Sequence, residues 1–508
     1  MSNNTDTFDI LIIGGGINGA GIARDAAGRN LSVALCEMGD FASATSSASS
    51  KLIHGGLRYL EHYEFNLVRK ALIEREVLLV SAPHIIWPLR FVLPHHKELR
   101  PAWLLRMGLF LYDYMGGRKL LPATAKLALL SDNRGEPLKS RFKVGFEYSD
   151  CWVDDARLTI LNVQDAADKG ASIFKGWQCI AAERTSGRWQ VTLKGANGTT
   201  KTIKAKALVN AAGAWAANIT NMAETDTKKK CKLRLVKGSH IVVPRLYDGD
   251  HAYTFQEADG RIIFTIPYEE KFTLIGTTDV GHDEAPVRVS ASDDEIHYLC
   301  NIVNDYFSKS ITPDDVKWHY SGIRPLIDDG EKKASQVTRD YQLVVSDNSE
   351  SVPILSVYGG KITTYRKLAE DALNKLAHWF PAAGPTWTER ATLPGGDIGG
   401  LSHREWASHL QSKYPWAERG MLLRYTRQYG SLSDDILTGH KSIAGLGQHF
   451  GGNFFEAELK YLVQNEWATS AEDVLWRRTK LGLHLNDEER SAVADWMSRN
   501  RGIPHDDQ

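Results

Sequence analysis

A glycine-rich turn between a short apolar run and a helical pattern restricts this chain more than any other feature of its sequence. Residues 9–13 (DILII) predict a buried strand, residues 14–21 (GGGINGAG) follow at once, and small and apolar residues continue at helical spacing to residue 27. A second apolar run, 31–37, completes a β-α-β unit whose strands would be parallel. The pattern predicts an α/β fold with a Rossmann-type nucleotide-binding sheet.

The glycines of this turn have separate expected roles. Gly14 permits the tight turn, Gly16 lets a pyrophosphate approach the backbone, and Gly19 lets the helix pack close to the strand. The N–H groups at the helix N-terminus would face the phosphates. Glu37 ends the second strand, where an acid can hold a ribose hydroxyl, and it disfavours the 2′-phosphate of NADP. The motif predicts dinucleotide binding without choosing between NAD and FAD.

The remaining pattern suggests that the nucleotide-binding domain is interrupted by insertions. Apolar strands end in glycine turns at 206–213 and at about 354–360. Between roughly 232 and 350, short strand-like runs alternate with turn residues, which is typical of a mixed or antiparallel sheet. Those runs are 240–244, 261–267, 272–279 and 341–346.

We therefore expect three domains, two of them discontinuous. The nucleotide-binding domain would comprise 1–80, 150–232 and 350–380, and the substrate domain 81–149 and 233–349. A helical C-terminal domain would cover 381–508 and begin with the Pro/Gly-rich stretch 381–400.

Composition excludes several classes of protein. The net charge of −1 gives nucleic-acid binding no electrostatic support. The five cysteines are odd in number and lack CxxC spacing, which argues against a disulfide framework or a metal site and fits a reducing compartment. They are Cys36, Cys151, Cys179, Cys231 and Cys300. The N-terminus has no basic region typical of a secretory signal, and no apolar run is long enough to span a membrane.

A polar segment after the second strand helps to choose the cofactor. In ATSSASSKLIHGGLRYL (44–60), hydroxyls, Lys51 and a glycine pair would suit a loop that closes over the phosphates and ring of a flavin. A flexible polar loop is the alternative. It explains the serines but not the placement of His54, Arg58 and Tyr59 beside a glycine turn.

A second candidate for flavin contact is YGGKITTYRKLAE (358–370). Its strand ends in two glycines, and a helix opens with Lys361, Thr363 and Thr364. Such a helix N-terminus could stabilise negative charge on a reduced flavin. A plain strand-to-helix turn with a threonine cap is the alternative.

Cationic residues recur at turn-like positions in the middle of the chain. They are Arg324 in SGIRPL, Arg339 in TRDY, and Lys237 and His240 in KGSH. Clustered cations with hydroxyls suit a phosphorylated substrate. Taken singly, each is more often a surface charge or part of an ion pair, and a lone histidine is more often structural than catalytic.

Together these segments closely resemble the FAD-dependent sn-glycerol-3-phosphate dehydrogenases, the bacterial aerobic form above all. The segments that carry the resemblance are GGGINGAGIARDAAGR, ATSSASSKLIHGGLRYLEH, FEYSDCWVDDARL, VKGSHIVVP, IGTTD, SGIRPL, TRDY, GGKITTYRKLAE, WTERATLPGG and EAELKYLVQNEWATSAEDVLWRRTKLGL. The resemblance implies a non-covalent FAD, oxidation of glycerol 3-phosphate to dihydroxyacetone phosphate, and electron transfer to a membrane quinone. It implies a peripheral enzyme on the cytoplasmic face of the inner membrane. The quinone species and the oligomeric state stay open, a homodimer included.

Carried over by position, the resemblance assigns residues to three groups. The nucleotide end of FAD would contact Gly14, Gly16, Gly19 and Glu37. The flavin would contact Thr45, Ser46, Lys51, His54, Gly359, Gly360, Lys361, Thr363 and Thr364. The substrate pocket would hold Arg58, Tyr59, Arg324 and Arg339, with Lys237 and His240 nearby.

The expected reaction removes a proton from the substrate's C2 hydroxyl and transfers a hydride from C2 to the flavin. His54 is the candidate base, because imidazole titrates near working pH. Arg324 is expected to stabilise the developing alkoxide, and Arg58 and Arg339 to hold the phosphate. Two other functions remain open, an amine or amino-acid oxidase on the same fold and a non-catalytic FAD-binding module. A pyridine-nucleotide-dependent flavoenzyme is disfavoured, since the sequence has no second GxGxxG.

One segment is a candidate for contact with phospholipid. RPAWLLRMGLFLYDYMGGRKLL (100–121) combines apolar and aromatic residues with flanking cations, the composition of an interfacial amphipathic segment. A core helix of the substrate domain is the alternative, and the resemblance favours the membrane.

Overall fold

Two β-sheets and a group of C-terminal helices make up this protein. The computed structural model describes residues 7–223, 232–257, 261–284, 289–328, 339–347 and 352–500, so Cys231 lies outside the described residues. None of the helices within these ranges is both long enough and apolar enough to cross a membrane.

The first sheet contains the glycine-rich turn. Its strands are β1 (Thr7–Ile13), β2 (Val33–Glu37), β7 (Ser172–Lys175), β8 (Trp177–Thr185), β9 (Arg188–Gly195), β10 (Thr200–Asn210), β17 (Tyr341–Ser346) and β18 (Ile354–Gly359). The spatial order is β17-β18-β10-β1-β2-β7, and β9 joins β10 to β8. β1 runs parallel to β2 and β10, as a β-α-β unit requires.

Burial on both faces explains the unbroken apolar sequence of β1. Ile10, Leu11 and Ile12 have no exposed surface. Three helices pack around one core on one side of the sheet: α1 (Ile17–Gly28), α4 (Asp155–Asp168) and α7 (Tyr365–Leu376). The predicted helix of residues 17–27 thus agrees with α1 to within one residue.

The second sheet forms the inserted part of the chain. Its strands are β3 (Leu52–Ile53), β4 (Ile86–His95), β5 (Ala125–Ala128), β6 (Val144–Val153), β11 (Leu233–Pro244), β12 (Ala252–Gln256), β13 (Ile262–Tyr268), β14 (Phe272–Gly276), β15 (Val280–Gly281) and β16 (Trp318–Ile327). The order is β15-β11-β14-β13-β12-β4-β6-β3, with β16 beside β11 and β5 beside β6. Among the described strands of this second sheet, β12 and β4 form the one parallel pair and the other pairs are antiparallel. This is the expected mixed sheet.

The two sheets divide the chain differently from the predicted domain borders. Residues 341–346 were expected in the inserted sheet, but β17 pairs antiparallel with β18 in the first sheet. β3 lies within the predicted nucleotide-binding range, yet it pairs with β6 in the second sheet. An apolar strand sequence shows that a strand forms but does not identify its partner, which explains both differences.

The other helices are α2 (Phe65–Ser81), α3 (Ala102–Met115), α5 (Ala216–Ala223), α6 (Asp293–Tyr306), α8 (His403–Lys413), α9 (Arg419–Tyr429), α10 (Ser433–Leu437), α11 (Glu456–Glu466) and α12 (Asp487–Arg499). Capping boxes define several helix starts, for example Ser292 with Glu295 in α6 and Asn486 with Glu489 in α12.

The C-terminal helices share a core of their own, and a short hairpin of β19 (His449–Gly451) and β20 (Phe454–Phe455) adds to their predicted helical content. Buried ion pairs join this unit to the first sheet. Asp40, in the loop after β2, accepts hydrogen bonds from Arg477 and Arg478 at 2.6 and 2.5 Å, and Arg157 of α4 pairs with Glu466. Since an unpaired buried charge is costly, these pairs fix the C-terminal unit against the nucleotide-binding part.

Candidate active site

The glycines of the turn after β1 are required for two different reasons. Gly14 has a φ of +112°, and a Cβ there would lie 2.5 Å from the Ala211 carbonyl oxygen. A Cβ at Gly19 would lie 1.9 Å from the Gly14 carbonyl oxygen. Both positions therefore serve chain packing. Gly16 has an ordinary φ of −78°, and a Cβ there would meet only the Ser46 hydroxyl, at 3.1 Å. Gly16 is thus the glycine whose missing side chain leaves room for a ligand.

Glu37 connects the backbone turns that surround the nucleotide end of the cavity. Its Oε2 accepts a hydrogen bond from the Gly15 N–H and its Oε1 from the Gly39 N–H, both at 2.7 Å. Burial raises the pKa of this carboxyl, and the two N–H donors oppose the rise. Carboxylate oxygens can each accept a further hydrogen bond, so a ribose hydroxyl remains a suitable partner.

The segment of residues 44–60 divides between cavity and core. Ser46 and Thr45 line the cavity; the Ser46 hydroxyl accepts from the Ile17 N–H at 2.9 Å, at the start of α1. Lys51, by contrast, is 1% exposed, and its Nζ lies 2.7 Å from Asp155 Oδ1. It does not line the cavity, so the predicted flavin contact of Lys51 is not supported. A buried ammonium needs a carboxylate partner, and Asp155 is that partner.

The turn that carries His54 is tied to the second predicted flavin segment. The His54 N–H donates to the Thr363 hydroxyl at 3.1 Å, and that hydroxyl donates to the His54 carbonyl at 3.3 Å. Gly359 and Gly360, with φ of +71° and +99°, line the same cavity, as do Lys361 and Thr363. Two segments about 300 residues apart in sequence therefore form one wall.

Thr364 lies behind this wall. It is buried, its hydroxyl donates to the Lys361 carbonyl at 3.4 Å, and it does not line the cavity. The contact that its hydroxyl makes is local, at the start of α7, and does not support the predicted contact of Thr364 with a flavin.

The other end of the cavity is cationic. Arg58, Arg324, Arg339 and Lys361 line it together with Tyr59. The Lys361 Nζ lies 3.7 Å from the centre of the Tyr59 ring. Both the Lys361 Nζ and the Arg339 Nη1 are buried without a hydrogen-bond partner. Burial, followed by the charge of Arg339, lowers the pKa of Lys361 to about 7.

Asp279 is the counter-ion of this cationic end, and the sequence did not single it out. Its Oδ1 accepts from Arg324 Nη1 and lies 3.5 Å from Arg339 Nη2, while Arg324 Nη2 donates to the Thr277 hydroxyl at 2.7 Å. Asp279 and Thr277 belong to the segment IGTTD, at the end of the strand-like run 272–279, and that run was predicted as a strand without a functional role for either residue. An acid after a strand, two residues from a hydroxyl, was the available signal.

His54 lines the cavity with its ring near Phe264, at 6.3 Å between ring centres. Burial, together with the charges of Lys361 and Arg75, lowers the pKa of His54 to about 3. The imidazole is therefore neutral throughout the physiological range, which leaves a lone pair free to accept a proton.

Two predicted substrate contacts lie away from the cavity. Lys237 points to the other side of β11, where its Nζ lies 2.8 Å from Glu295 Oε2. His240 is 2% exposed; its Nε2 lies 2.9 Å from the Ser50 hydroxyl, and its ring stacks on Tyr320. Neither residue lines the cavity. The prediction came from the resemblance and from the cationic segment KGSH. Val236 lies opposite Arg324 in the sheet, so the side chain of its neighbour Lys237 points to the opposite face. His240 is instead occupied by Ser50 and Tyr320.

The cavity has a volume typical of ligand sites and a lining that suits an FAD. Its volume is about 550 Å³, and its walls reach from the glycine turn to the arginines. Ligand pockets are typically ~300–1,000 Å³. Asn18, which lines it beside the glycine turn, has a buried amide oxygen without a hydrogen-bond partner. Gly16 supplies the close backbone approach, so the residues present fit the cofactor.

Comparison with known proteins identifies the family to which this arrangement belongs. A family model for FAD dependent oxidoreductases matches residues 9–366, and a model for the C-terminal domain of alpha-glycerophosphate oxidase matches residues 386–505. The D-erythritol 1-phosphate dehydrogenase of Brucella abortus is 51% identical over 97% of this chain and 98% of its own length. A glycerol-3-phosphate dehydrogenase of Pseudomonas aeruginosa is 49% identical over 98% of this chain and 96% of its own.

A solved structure resembles the whole chain. The glycerol-3-phosphate dehydrogenase of Bacillus halodurans, crystallised with FAD, is 28% identical and matches with a TM-score of 0.75 over 98% of this chain and 95% of its own. The match extends through both sheets and the C-terminal helices, because it leaves only 2% of this chain uncovered.

Proposed function

Since the chain belongs to the family of FAD dependent oxidoreductases, we propose that it oxidises the secondary hydroxyl of sn-glycerol 3-phosphate to give dihydroxyacetone phosphate. Bound FAD supplies the acceptor for the hydride that leaves the alcohol carbon. The substrate named for the Pseudomonas aeruginosa relative supports this proposal.

The observation that carries the proposal is that two cationic side chains lining the cavity each have a buried nitrogen without a hydrogen-bond partner, Arg339 Nη1 and Lys361 Nζ. A buried cationic group with an unmade hydrogen bond is costly, so such a group in a cavity suits a ligand of opposite charge. Arg58 and Arg324 line the same end of the cavity. A phosphate monoester, with about two negative charges and several acceptor oxygens, meets this requirement better than the single carboxylate of an amino acid.

The chain's own residues would divide the work as follows. Arg339, Arg58 and Lys361 hold the phosphate and so fix the distance of the alcohol carbon from the cofactor. Arg324, fixed by Asp279 and Thr277, stabilises negative charge as it develops on the substrate oxygen. His54 accepts the hydroxyl proton on its imidazole nitrogen.

Lys361 is the rival to His54 as base, because its pKa of about 7 leaves a neutral amine near working pH. The pKa of His54, about 3, makes it the weaker base but one that is always neutral. We favour His54, because Lys361 stacks on Tyr59 beside the arginines and is more useful there as a cation.

D-Erythritol 1-phosphate is the second candidate substrate, since the relative from Brucella abortus that is named for it is 51% identical. The two substrates share the phosphate monoester and a neighbouring secondary alcohol, and erythritol has one more CHOH unit. The cationic end of the cavity suits both.

Anaerobic reduction of the purified holoenzyme tests the proposal and compares the two substrates. The flavin absorbance is recorded before and after glycerol 3-phosphate, D-erythritol 1-phosphate, glycerol or glycine is added. Rapid bleaching by glycerol 3-phosphate, and none by glycerol or glycine, is the expected result. Bleaching by D-erythritol 1-phosphate but not by glycerol 3-phosphate would identify the erythritol phosphate as the substrate. Bleaching by glycine would indicate an amino-acid oxidase.

We propose further that the electrons pass to a membrane quinone and that α3 places the enzyme on the bilayer. Trp103, Met107, Phe110, Leu111 and Tyr114 of α3 are exposed apolar or aromatic side chains, and Trp103 is 68% exposed. A core helix would bury such residues, and an exposed patch of this kind is typical of an interaction surface. Exposed Arg100, Arg106 and Lys119 beside it suit anionic lipid.

The opposite face of α3 adjoins the active site. Tyr112 is buried, and Leu105 lines the cavity and packs in the core of the second sheet. The helix would thus bring the cavity close to the lipid surface, where a quinone is available. Turnover of the holoenzyme with a short-chain quinone, compared with an artificial dye, tests the proposed acceptor.

A further inference from the structure

The two arginines that end the cavity are held very differently. Arg324 makes two hydrogen bonds through its guanidinium, to Asp279 and at 2.7 Å to the Thr277 hydroxyl. Its guanidinium also packs against the backbone of Gly238, where a Cβ would lie 2.2 Å from the Arg324 Nη2. Among the described residues, the ion-pair partner of Arg339 is Asp279 at 3.5 Å, and the Arg339 Nη1 has no hydrogen-bond partner there. One arginine is fixed and the other is poised to change partner.

Asp279 lies where the two guanidinium groups meet, and its side chain is 13% exposed. Two cations so close in a poorly hydrated cavity would repel, and the shared carboxylate offsets this repulsion. The same carboxylate repels any anion that approaches Arg339. It therefore affects the orientation of Arg324 and the affinity for phosphate in opposite senses.

We propose that Asp279 is a positioning residue that aims Arg324 at the reacting hydroxyl and competes with the substrate's phosphate for Arg339. The inference rests on the proposed function, because it concerns the same site. When the phosphate arrives, Arg339 leaves its long contact with Asp279 and pairs with the phosphate oxygens, while Arg324 stays with Asp279. When the product leaves, Asp279 takes back Arg339, which limits how tightly the product is held.

Replacing Asp279 by Asn separates this role from a merely structural one. The neutral amide still accepts a hydrogen bond from Arg324, but it holds the guanidinium less firmly and no longer repels phosphate. We expect kcat to fall about 10- to 100-fold, less than the ~10²–10³-fold typical of losing a transition-state donor. We expect inorganic phosphate, titrated into the oxidised holoenzyme and followed by flavin absorbance, to bind about five- to tenfold more tightly, a typical size for coupling between groups.

Two further variants make the test specific. Gly238→Ala displaces the Arg324 guanidinium while leaving Asp279 in place, so kcat should fall without tighter phosphate binding. Asp283→Asn removes the same charge from an exposed position four residues away and should leave kcat and phosphate affinity unchanged.

The proposal is overturned if a folded Asp279→Asn holoenzyme binds phosphate as weakly as the wild type or more weakly, or keeps the wild-type kcat. Thr277→Val provides a second test that changes no charge. It should lower kcat and leave phosphate affinity unchanged, and an unchanged kcat would overturn the positioning of Arg324. If the wild type oxidises neither polyol phosphate, the proposed function fails, but the phosphate titration still decides whether Asp279 competes for Arg339.

Discussion

At the nucleotide end of the cavity, the backbone of the glycine turn leaves the space for a ligand, whereas at the cationic end, the proposed substrate end, charged side chains from several distant segments line the wall. The first end depends on Gly14 and Gly19 for the packing of the turn and on Gly16 for the space that a ligand occupies. The second depends on Arg324, Arg339 and Lys361, where the balance of charge decides. Adding a side chain at the nucleotide end should therefore abolish cofactor binding outright. Removing single charges at the cationic end should lower substrate affinity or catalytic rate in steps.

The largest effect should follow from adding a side chain at the nucleotide end. Gly16→Val places a branched side chain where only the Ser46 hydroxyl is near, so the protein should fold but exclude the pyrophosphate. Overpacking costs about 1–3 kcal/mol even where neighbours can move, and we expect colourless protein with at least ~100-fold weaker FAD binding. Flavin content and circular dichroism are the measurements.

Gly19→Ala is the matched control at the same turn. Its Cβ would lie 1.9 Å from the Gly14 carbonyl oxygen, so we expect loss of the fold rather than of the ligand alone. A yellow Gly16→Val protein with normal flavin content would contradict the assignment of the cofactor site. A stable, yellow Gly19→Ala protein would contradict the distinction between the two glycines.

At the cationic end, replacing each of the two arginines by alanine should change a different kinetic parameter. Arg324→Ala should lower kcat by ~10²–10³-fold, because its proposed partner is charge that develops in the transition state. Arg339→Ala should mainly raise KM, because the phosphate is charged in both states. Steady-state kinetics with a dye acceptor measure both. An Arg324→Ala enzyme with a raised KM and an unchanged kcat would reverse the two roles.

The same contrast explains which features were predictable from sequence. The β-α-β unit and its glycines follow a local pattern, and the predicted α/β fold with its helical C-terminal domain is confirmed, as is FAD as the cofactor. The cationic end depends on which face of a strand a side chain occupies. Arg324 of β16 lines the cavity, whereas Lys237 on the neighbouring strand β11 points away from the cavity and pairs with Glu295.

Partners were harder to predict than positions. Lys51 pairs with Asp155 in the core, and Asp279 pairs with Arg324 in the cavity. The sequence does not indicate which of these charged residues is structural and which lies in the site. The pairing of β17 with β18 was likewise missed, because strand pairing is a long-range property. The residues that define the substrate end are therefore known as a group only when the two sheets have been assembled.

The pH dependence of kcat/KM tests the charge of Lys361. Its pKa is lowered to about 7, so the cation is present below that pH and is lost above it. If Lys361 helps to hold the phosphate, kcat/KM should fall about tenfold per pH unit above about 7. If Lys361 is the base instead, kcat/KM should rise as pH passes about 7. Lys361→Arg keeps its charge and should abolish the fall.

His54 should not contribute to this profile between pH 5 and 9, because its pKa is about 3. The second ionisation of the phosphate, near pH ~6, adds a rise on the acid side if the dianion is the substrate form. A maximum between these two limits is the expected shape for the wild type.

The smallest effect on catalysis should follow from changes to the exposed face of α3. Trp103→Glu with Phe110→Glu replaces side chains that are 68% and 58% exposed, so dye-linked activity should stay nearly unchanged. Leu105 is unsuitable for this purpose, although it belongs to the same apolar segment, because it lines the cavity. The double variant should no longer sediment with vesicles of phosphatidylcholine and phosphatidylglycerol, since both changes put a negative charge against anionic lipid.

A control for this last test lies elsewhere on the surface. Leu130→Glu with Ile180→Glu changes two side chains that are 64% and 40% exposed and lie outside α3, and it should leave vesicle binding intact. If both double variants are released from lipid, net charge rather than α3 governs the attachment. If neither is released, the membrane contact lies on another surface. Release of the α3 variant alone, with dye-linked turnover preserved and quinone turnover on vesicles lost, would link this helix to delivery of electrons to the bilayer.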